Sequence, residues 1–172
     1  FYFPELLLTS GCLIFILIAL FLKQEVFKKI SFLSIILLIA VSLSVLKDNT
    51  LSFAFYNTLF KSSQFILFFK ILILLGSIVT ISISINFFND LKLKRFEIPL
   101  LILFSTLGML VLISSNNLMS MYLGIELQSL SLYVIAAINR DSLQSSEAGV
   151  KYFVLGALSS GILLYGCSLI YG

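Results

Sequence analysis

The sequence predicts an all-α membrane protein with about six transmembrane helices. Its 172 residues are 60% hydrophobic and only 11% charged, whereas soluble domains contain about 25% charged residues. A soluble fold of this length could not bury so much apolar surface, so lipid must cover part of it. The apolar runs are continuous, and each approaches or exceeds the ~20 helical residues that cross a bilayer. They lack the alternation typical of membrane strands, which favours helices over a barrel.

The first three helices are predicted from long apolar runs. The first covers residues 4–22 and has Pro4 in its first turn, where proline is tolerated because the N–H it lacks would be unpaired anyway. The second covers residues 30–46. The third covers residues 62–88 and contains one charged residue, Lys70, among aromatic and aliphatic side chains.

The last three helices follow one another closely. The fourth covers residues 98–114, again with a proline in its first turn, and the fifth covers residues 117–138. The turn between them is so short that these two helices must be antiparallel neighbours, and its serines and asparagines can cap both helix ends. The sixth covers residues 148–171, and Glu147 at its start would complement the helix dipole.

The charges of the connections predict how the chain crosses the membrane. Three short connections, at 21–29, 88–97 and 139–147, lie on one side of the six helices, whereas the other side has Lys47 and Lys61. By the positive-inside rule, the basic connections face inside and both termini face outside. The seven basic residues of these connections are Lys23, Lys28, Lys29, Lys92, Lys94, Arg95 and Arg140.

The composition argues against several classes of function. The chain has no histidine, which weakens metal, haem and histidine-based catalytic hypotheses. A dispersed net charge of +3 does not indicate nucleic-acid binding. Cys12 and Cys167 lie in distant apolar runs, which favours small packing residues over a disulfide or a metal site. With no linker or repeat, the chain is predicted to form a single transmembrane domain, 1–172.

Glu126 is the most informative residue, because it places a carboxylate near the middle of the fifth helix. A charge at that depth costs about 3 kcal/mol on insertion scales unless a partner, water or a proton compensates it. The residues Tyr122, Glu126, Ser129 and Tyr133 recur at helical spacing and therefore share one face. That face could line a hydrated path for protons or ions. The alternative is a structural carboxylate that holds two helices together.

Lys70 and Lys151 are the other charged residues that lie inside predicted helices and away from the loops. Lys151 lies about four residues inside the sixth helix, where a lysine can snorkel to water. Taking about 1.5 Å per residue, it lies ~12 Å from Glu126 along the helix axes, too far for a direct ion pair. Lys70 is too deep to snorkel if its helix begins at Ser62, but only one turn inside if the helix begins near Phe65. Functional and structural roles remain open for both lysines.

Long ordered motifs then identify a family resemblance. They include Ser105–Leu110, Met121–Leu130, Glu147–Tyr152 and Gly156–Cys167. Through them the segment 88–172 resembles subunit 2 of the proton-pumping NADH:ubiquinone oxidoreductase, respiratory complex I, and is similar to the mitochondrial form of plants and protists. The resemblance implies the N-terminal portion of an antiporter-like subunit.

The resemblance also implies roles for particular residues. Glu126 matches the glutamate that is central to proton translocation in the family, and Lys151 and Lys70 match lysines of the sixth and third helices. The chain would be a non-redox subunit of a proton-translocating NADH:ubiquinone reductase. It would hold no cofactor itself, since NADH, FMN, iron–sulfur clusters and ubiquinone belong to partner subunits. The implied location is the mitochondrial inner membrane, with both termini on the intermembrane-space side.

The chain departs from the family in its length. The family subunit has about fourteen helices in two inverted repeats, an organisation known in transporters, whereas this sequence stops after the sixth. The family's lysine on the seventh helix, the expected partner of Glu126, lies beyond Gly172. Either the sequence is a fragment or the subunit is split between two chains. We favour a split, with a second chain supplying the remaining helices beside the other membrane-arm subunits and lipid.

Two alternatives remain at this point. A subunit of a multisubunit cation/proton antiporter would share these motifs. A non-pumping membrane scaffold would use its buried charges only to hold helices together.

Overall fold

The regular elements that the structure describes are α-helices. The computed structural model describes residues 3–21, 26–48, 63–90 and 95–171. Five of its helices are long and apolar enough to cross a membrane, and the first contains a shorter apolar stretch, Pro4–Ala19. The predicted fold class is confirmed. The helices of the described residues are α1 (Phe3–Phe21), α2 (Val26–Asp48), α3 (Gln64–Asp90), α4 (Glu97–Ser114), α5 (Leu118–Ala136) and α6 (Leu143–Tyr171).

Two helices begin earlier than the apolar pattern predicted. α2 begins at Val26 rather than at residue 30, because its two early lysines are good helix formers that can extend beyond the hydrocarbon region. α6 begins at Leu143 rather than at residue 148. Just before it, the Ser142 hydroxyl accepts a hydrogen bond from the backbone N–H of Ser145 at 3.4 Å, as an N-cap does. Hydropathy marks the hydrocarbon boundary, whereas caps mark the helix boundary.

Neighbouring helices run in opposite directions, so the bundle has two distinct ends. Glu5 near the start of α1 and Lys70 near the start of α3 contact each other, and Ser114 at the end of α4 contacts Glu5. We call this the Glu5 end. Arg95 precedes α4 and Arg140 follows α5 at the opposite end, which we call the arginine end. Among the residues that predicted the orientation, Lys23, Lys61, Lys92 and Lys94 lie outside the described residues.

The core is formed mainly by α1–α4, and the last two helices are added to one side. α4 contacts α1, α2 and α3, while α5 packs against α4 and α6 packs against α5. Within the described part of α6, Gly149 is the one buried residue. Most of the core side chains are aliphatic. The most deeply buried are Leu8 and Cys12 of α1, Leu38, Val41 and Val45 of α2, Leu74 and Ile81 of α3, and Ile98, Leu103 and Leu110 of α4.

Buried serines are satisfied within their own helices. In α2 and α3, the hydroxyls of Ser31, Ser34, Ser77 and Ser84 donate to carbonyl oxygens three or four residues earlier, at 2.7–2.8 Å. These hydrogen bonds satisfy the hydroxyl groups in an apolar interior, where no water is available as a partner. These four small residues can therefore be buried between helices without leaving an unpaired hydroxyl donor.

The turn between α4 and α5 is capped on both sides. The backbone N–H of Ser115 donates to the Leu112 carbonyl at 3.2 Å. Asn117 is the N-cap of α5, and its Oδ1 accepts from the Ser120 N–H at 2.9 Å. The predicted caps and the predicted antiparallel pairing of the two helices are confirmed.

α4 and α5 touch backbone to backbone at two glycines. A Cβ added to Gly108 would lie 2.8 Å from the Gly124 carbonyl oxygen and 2.7 Å from the Gln128 nitrogen. A Cβ added to Gly124 would lie 2.8 Å from the Leu112 nitrogen. Real side chains do not reach such distances, so only glycine permits this crossing. Small residues allow this kind of close approach between membrane helices.

Replacing Gly124 by alanine is therefore expected to destabilise the protein. The added methyl group meets backbone atoms that cannot move aside, so we expect a loss of about 1–3 kcal/mol and a lower melting temperature in detergent. Gly76→Ala is the matched control, because a Cβ at Gly76 has nothing within 4 Å and alanine is the better helix former. Equal melting temperatures for the two variants would contradict the backbone contact.

Candidate functional site

A buried ion pair at the Glu5 end joins α1 to α3. Lys70 Nζ lies 2.6 Å from Glu5 Oε1, and the two side chains are 4% and 13% exposed. The hydroxyl of Ser114, the last residue of α4, donates to the same oxygen at 3.3 Å. Glu5 Oε2 is buried and accepts no hydrogen bond from the described residues. One carboxylate thus connects three helices.

Lys70 is held by this pair and does not reach water by snorkelling. α3 begins at Gln64, which places Lys70 six residues inside the helix. Breaking a buried pair by removing one partner typically costs 3–5 kcal/mol, because the other charge stays buried and uncompensated.

Sequence reasoning did not identify Glu5 as the partner of Lys70. A usable signal was present, however. α1 and α3 run in the same direction, and each has a charge of opposite sign within its first seven residues. Two such charges must lie at similar depth in a membrane bundle, where an unpaired charge is expensive.

Lys151 forms a different kind of pair. Its Nζ lies 2.5 Å from Glu147 Oε1, one turn earlier in α6, and the side chains are 70% and 54% exposed. An exposed pair at this spacing is worth a few tenths of a kcal/mol. Because α6 begins at Leu143, Lys151 is eight residues inside the helix rather than four, and Glu147 lies outside the first turn. The predicted capping role of Glu147 is therefore wrong.

Glu126 lies at the middle of α5, on the face that is turned toward α6. It shares that face with Tyr133, whose ring makes edge contacts with Tyr152 and Phe153 of α6, with ring centroids 4.7 and 5.8 Å apart. Glu126 Oε2 is buried and accepts no hydrogen bond from any residue that the structure describes. A buried carboxylate oxygen requires a proton, a water molecule or a cation to offset its lost hydration.

The register of α5 against α6 shows what lies opposite Glu126. Ala137 meets Gly149, so in this antiparallel pair Lys151 is level with residue 135 and Glu126 is level with Ser160. Glu126 and Lys151 are nine residues apart on this scale, roughly 13 Å at a rise of 1.5 Å per residue. The structure therefore does not bring these two charges together. The α6 residue at the level of Glu126, Ser160, has a short side chain.

A groove of about 790 Å³ opens near the arginine end between α4, α5 and α6. Its lining is mostly apolar and includes Glu97, Arg140 and one face of Tyr133. None of the three predicted site residues lines it. The groove and the candidate charges are thus separate features, although Tyr133 borders both the groove and the face of Glu126.

The two ion pairs should respond differently when the lysine is neutralised. We expect Lys70→Met to lower the stability by about 3 kcal/mol or more, because it strands the buried Glu5 carboxylate. Lys151→Met should change it by less than about 0.5 kcal/mol, because the Glu147 carboxylate remains hydrated. Thermal unfolding in one detergent would compare them. A Lys70→Met variant as stable as Lys151→Met would show that the buried pair contributes little.

Comparison with known proteins connects this architecture to respiratory enzymes. A family model described as "NADH:quinone oxidoreductase/Mrp antiporter, TM" matches residues 115–172, which include Glu126 and Lys151. Subunit N 1 of the NADH-quinone oxidoreductase of Rhizobium meliloti is 47% identical over 169 residues, covering 98% of this chain and 35% of that protein. Subunit N of Beijerinckia indica is 49% identical over 170 residues, again covering 98% of this chain and 35% of that protein.

The fold is shared with a solved assembly. A chain of respiratory complex I from Thermus thermophilus, determined with bound aureothin, matches with a TM-score of 0.80 and 30% sequence identity, covering 98% of this chain and 36% of that one. This chain spans about a third of the length of the curated relatives that it matches. Both of these relatives are bacterial NADH-quinone oxidoreductase subunits N, and the helices of this chain have the fold of a complex I chain.

Proposed function

We propose that this chain is a membrane-arm, antiporter-like subunit of a proton-pumping NADH:quinone oxidoreductase and that it contributes part of a proton path. The observation that carries the proposal is the buried Oε2 of Glu126, which accepts no hydrogen bond from the described residues. Glu5 also has a buried Oε2 that accepts no hydrogen bond from these residues, but its other oxygen is paired with Lys70. Glu126 forms no ion pair within the part of the chain that the structure describes. The similarity to subunit N over nearly the whole chain supports the same function.

In the proposed mechanism, Glu126 changes its protonation as a cation approaches or withdraws. A cation beside a buried carboxylate favours its ionised form, and desolvation favours its protonated form. The cation would come from a segment other than α6, since Lys151 lies roughly 13 Å away along the helix axis. The short side chain of Ser160 at the same level leaves room for water or for a longer side chain to reach the carboxylate.

The two lysines would take part in different ways. Lys151 is exposed, and among the described residues its ion-pair partner is Glu147, so it can leave that pair at little cost and offer its ammonium group to a neighbouring element. Lys70 is fixed by Glu5 in the core. Its part in translocation would therefore be electrostatic and structural, acting through the helices that this pair joins.

The proposal also includes the partner chains, the cofactors of those partners and the membrane in which the chain lies. A second chain would supply the helices that complete the subunit, and other membrane-arm subunits and lipid would surround it. NADH, FMN, iron–sulfur clusters and ubiquinone would reside in partner subunits. We propose the mitochondrial inner membrane as the location, with both termini in the intermembrane space. The bacterial relatives support a respiratory membrane in general.

A second candidate is a subunit of a multisubunit cation/proton antiporter. The matching family description includes the Mrp antiporter, and that match covers the segment with Glu126. The same carboxylate would then serve cation-driven proton exchange without electron transfer. The partners that accompany the chain distinguish the two candidates.

Replacing Glu126 by glutamine is the direct test of the proposed path. Glutamine keeps the size of the side chain and cannot exchange a proton, so we expect the complex to assemble and its proton-linked turnover to fall roughly tenfold or more. NADH oxidation and proton uptake in membrane vesicles would measure this. Asp141→Asn, at an exposed carboxylate in the α5–α6 connection, is the control. Wild-type turnover in assembled Glu126→Gln would reject the role of Glu126, whereas loss of assembly alone would indicate a scaffold.

The partners can be tested without any substitution. We expect gentle detergent purification and native mass analysis to find this chain with flavin and iron–sulfur subunits and with a second chain of about eight further helices. Recovery with a set of antiporter subunits and no redox protein would favour the second candidate.

A further inference from the structure

The Glu5–Lys70 ion pair and Glu126 lie in different parts of the bundle, and α4 connects them. The single hydroxyl proton of Ser114, at the end of α4, is shared between Glu5 Oε1 at 3.3 Å and the Leu110 carbonyl oxygen at 2.9 Å. Ser114 is fully buried. The position of the end of α4 is thus tied to the ion pair.

The start of α5 follows from the end of α4. Asn117, the N-cap of α5, is only three residues beyond Ser114, and the turn between them is capped on both sides. A short capped turn has little freedom to absorb a shift of one helix relative to the other. Movement of Ser114 would therefore move the first turn of α5.

Near their middles, α4 and α5 are in direct backbone contact. Gly108 of α4 and Gly124 of α5 meet through their backbones, so no flexible side chain lies between the helices at this point. Glu126 is two residues beyond Gly124. Packed backbone elements transmit displacement because interiors are dense and deform little.

We propose that Glu5 and Lys70 are positioning residues for the Glu126 carboxylate, acting through Ser114 and the glycine contact of α4 with α5. This role rests on the proposed function of Glu126. Glu5 Oε1 already binds the Lys70 ammonium and the Ser114 hydroxyl, so its carboxylate serves to fix three helices. Loss of this geometry would displace Glu126 from its proton donor or cation, and misplacement by about 1 Å can slow a reaction a hundredfold.

The test uses the assembled complex in membrane vesicles and reports turnover per assembled complex. Glu5→Asp keeps the charge and shortens the side chain by one methylene, and we expect turnover to fall about tenfold. The reversed pair, Glu5→Lys with Lys70→Glu, should recover to within about twofold, since the Ser114 hydroxyl can donate or accept. Asp141→Glu, which changes an exposed carboxylate by one methylene, is the matched control and should not alter turnover.

A further measurement applies even if the reversed pair does not assemble. In a Glu126→Gln background, Glu5→Asp should cause no additional loss, because both changes affect the same carboxylate. Independent, multiplying losses would overturn the proposal. So would Glu5→Asp membranes that contain less complex at unchanged turnover, because the pair would then only hold the fold. A reversed pair that assembles but remains tenfold slow would also overturn it.

The two roles fail in distinguishable ways. If Glu126→Gln turns over like the wild type, the proposed function of Glu126 fails and the positioning role fails with it. If Glu126→Gln is slow while Glu5→Asp is normal, the function of Glu126 stands and only the positioning role is rejected.

Discussion

The structure depends on one constraint, which is that a charge inside a membrane bundle must be compensated there. Two of the carboxylates in the described helices meet it with a lysine, and a third stands apart. Glu5 is compensated by the Lys70 ammonium at 2.6 Å in the core. Glu147 lies at an exposed position and is paired with Lys151 one turn later. Glu126 has a buried oxygen that accepts no hydrogen bond from the described residues. The same functional group therefore occurs as a structural link, as a surface charge and as a candidate proton carrier.

The contact between α4 and α5 determines where the Glu126 side chain points. Backbone contact at Gly108 and Gly124 fixes the rotation of α5, which turns Gly124 toward α4 and Glu126 toward α6. A larger residue at either glycine would separate the helices and change the depth and direction of the carboxylate. The two glycines have no polar side chain, but they determine where the Glu126 carboxylate lies. Helix packing and the chemistry of the site therefore depend on the same residues.

Much of this architecture could be predicted from the sequence, because membrane helices are marked by length and hydropathy. The tight α4–α5 turn and its Asn117 cap were predictable from local chemistry. The start of α6 was not, since Ser142 caps the helix outside the apolar run. The partner of Lys70 was missed because pairing across 65 residues depends on tertiary packing. The axial distance between Glu126 and Lys151 was close to correct, because residues 138 and 148, the ends of the predicted apolar runs, lie level with each other in the observed register of α5 and α6.

α6 buries few of its own residues, but it determines which side chain lies at the level of Glu126. Among the described helices α6 packs against α5, and Tyr133 holds it through Tyr152 and Phe153 on the arginine-end side of Glu126. Level with Glu126 it presents Ser160, whose hydroxyl donates to its own helix at the Ala157 carbonyl. α6 therefore withholds a donor from the carboxylate. A lysine at that level would give Glu126 an ion-pair partner, as Lys70 does for Glu5. With the short side chain of Ser160 there, Glu126 has no ion-pair partner on the described part of α6, which is what the proposed proton path requires.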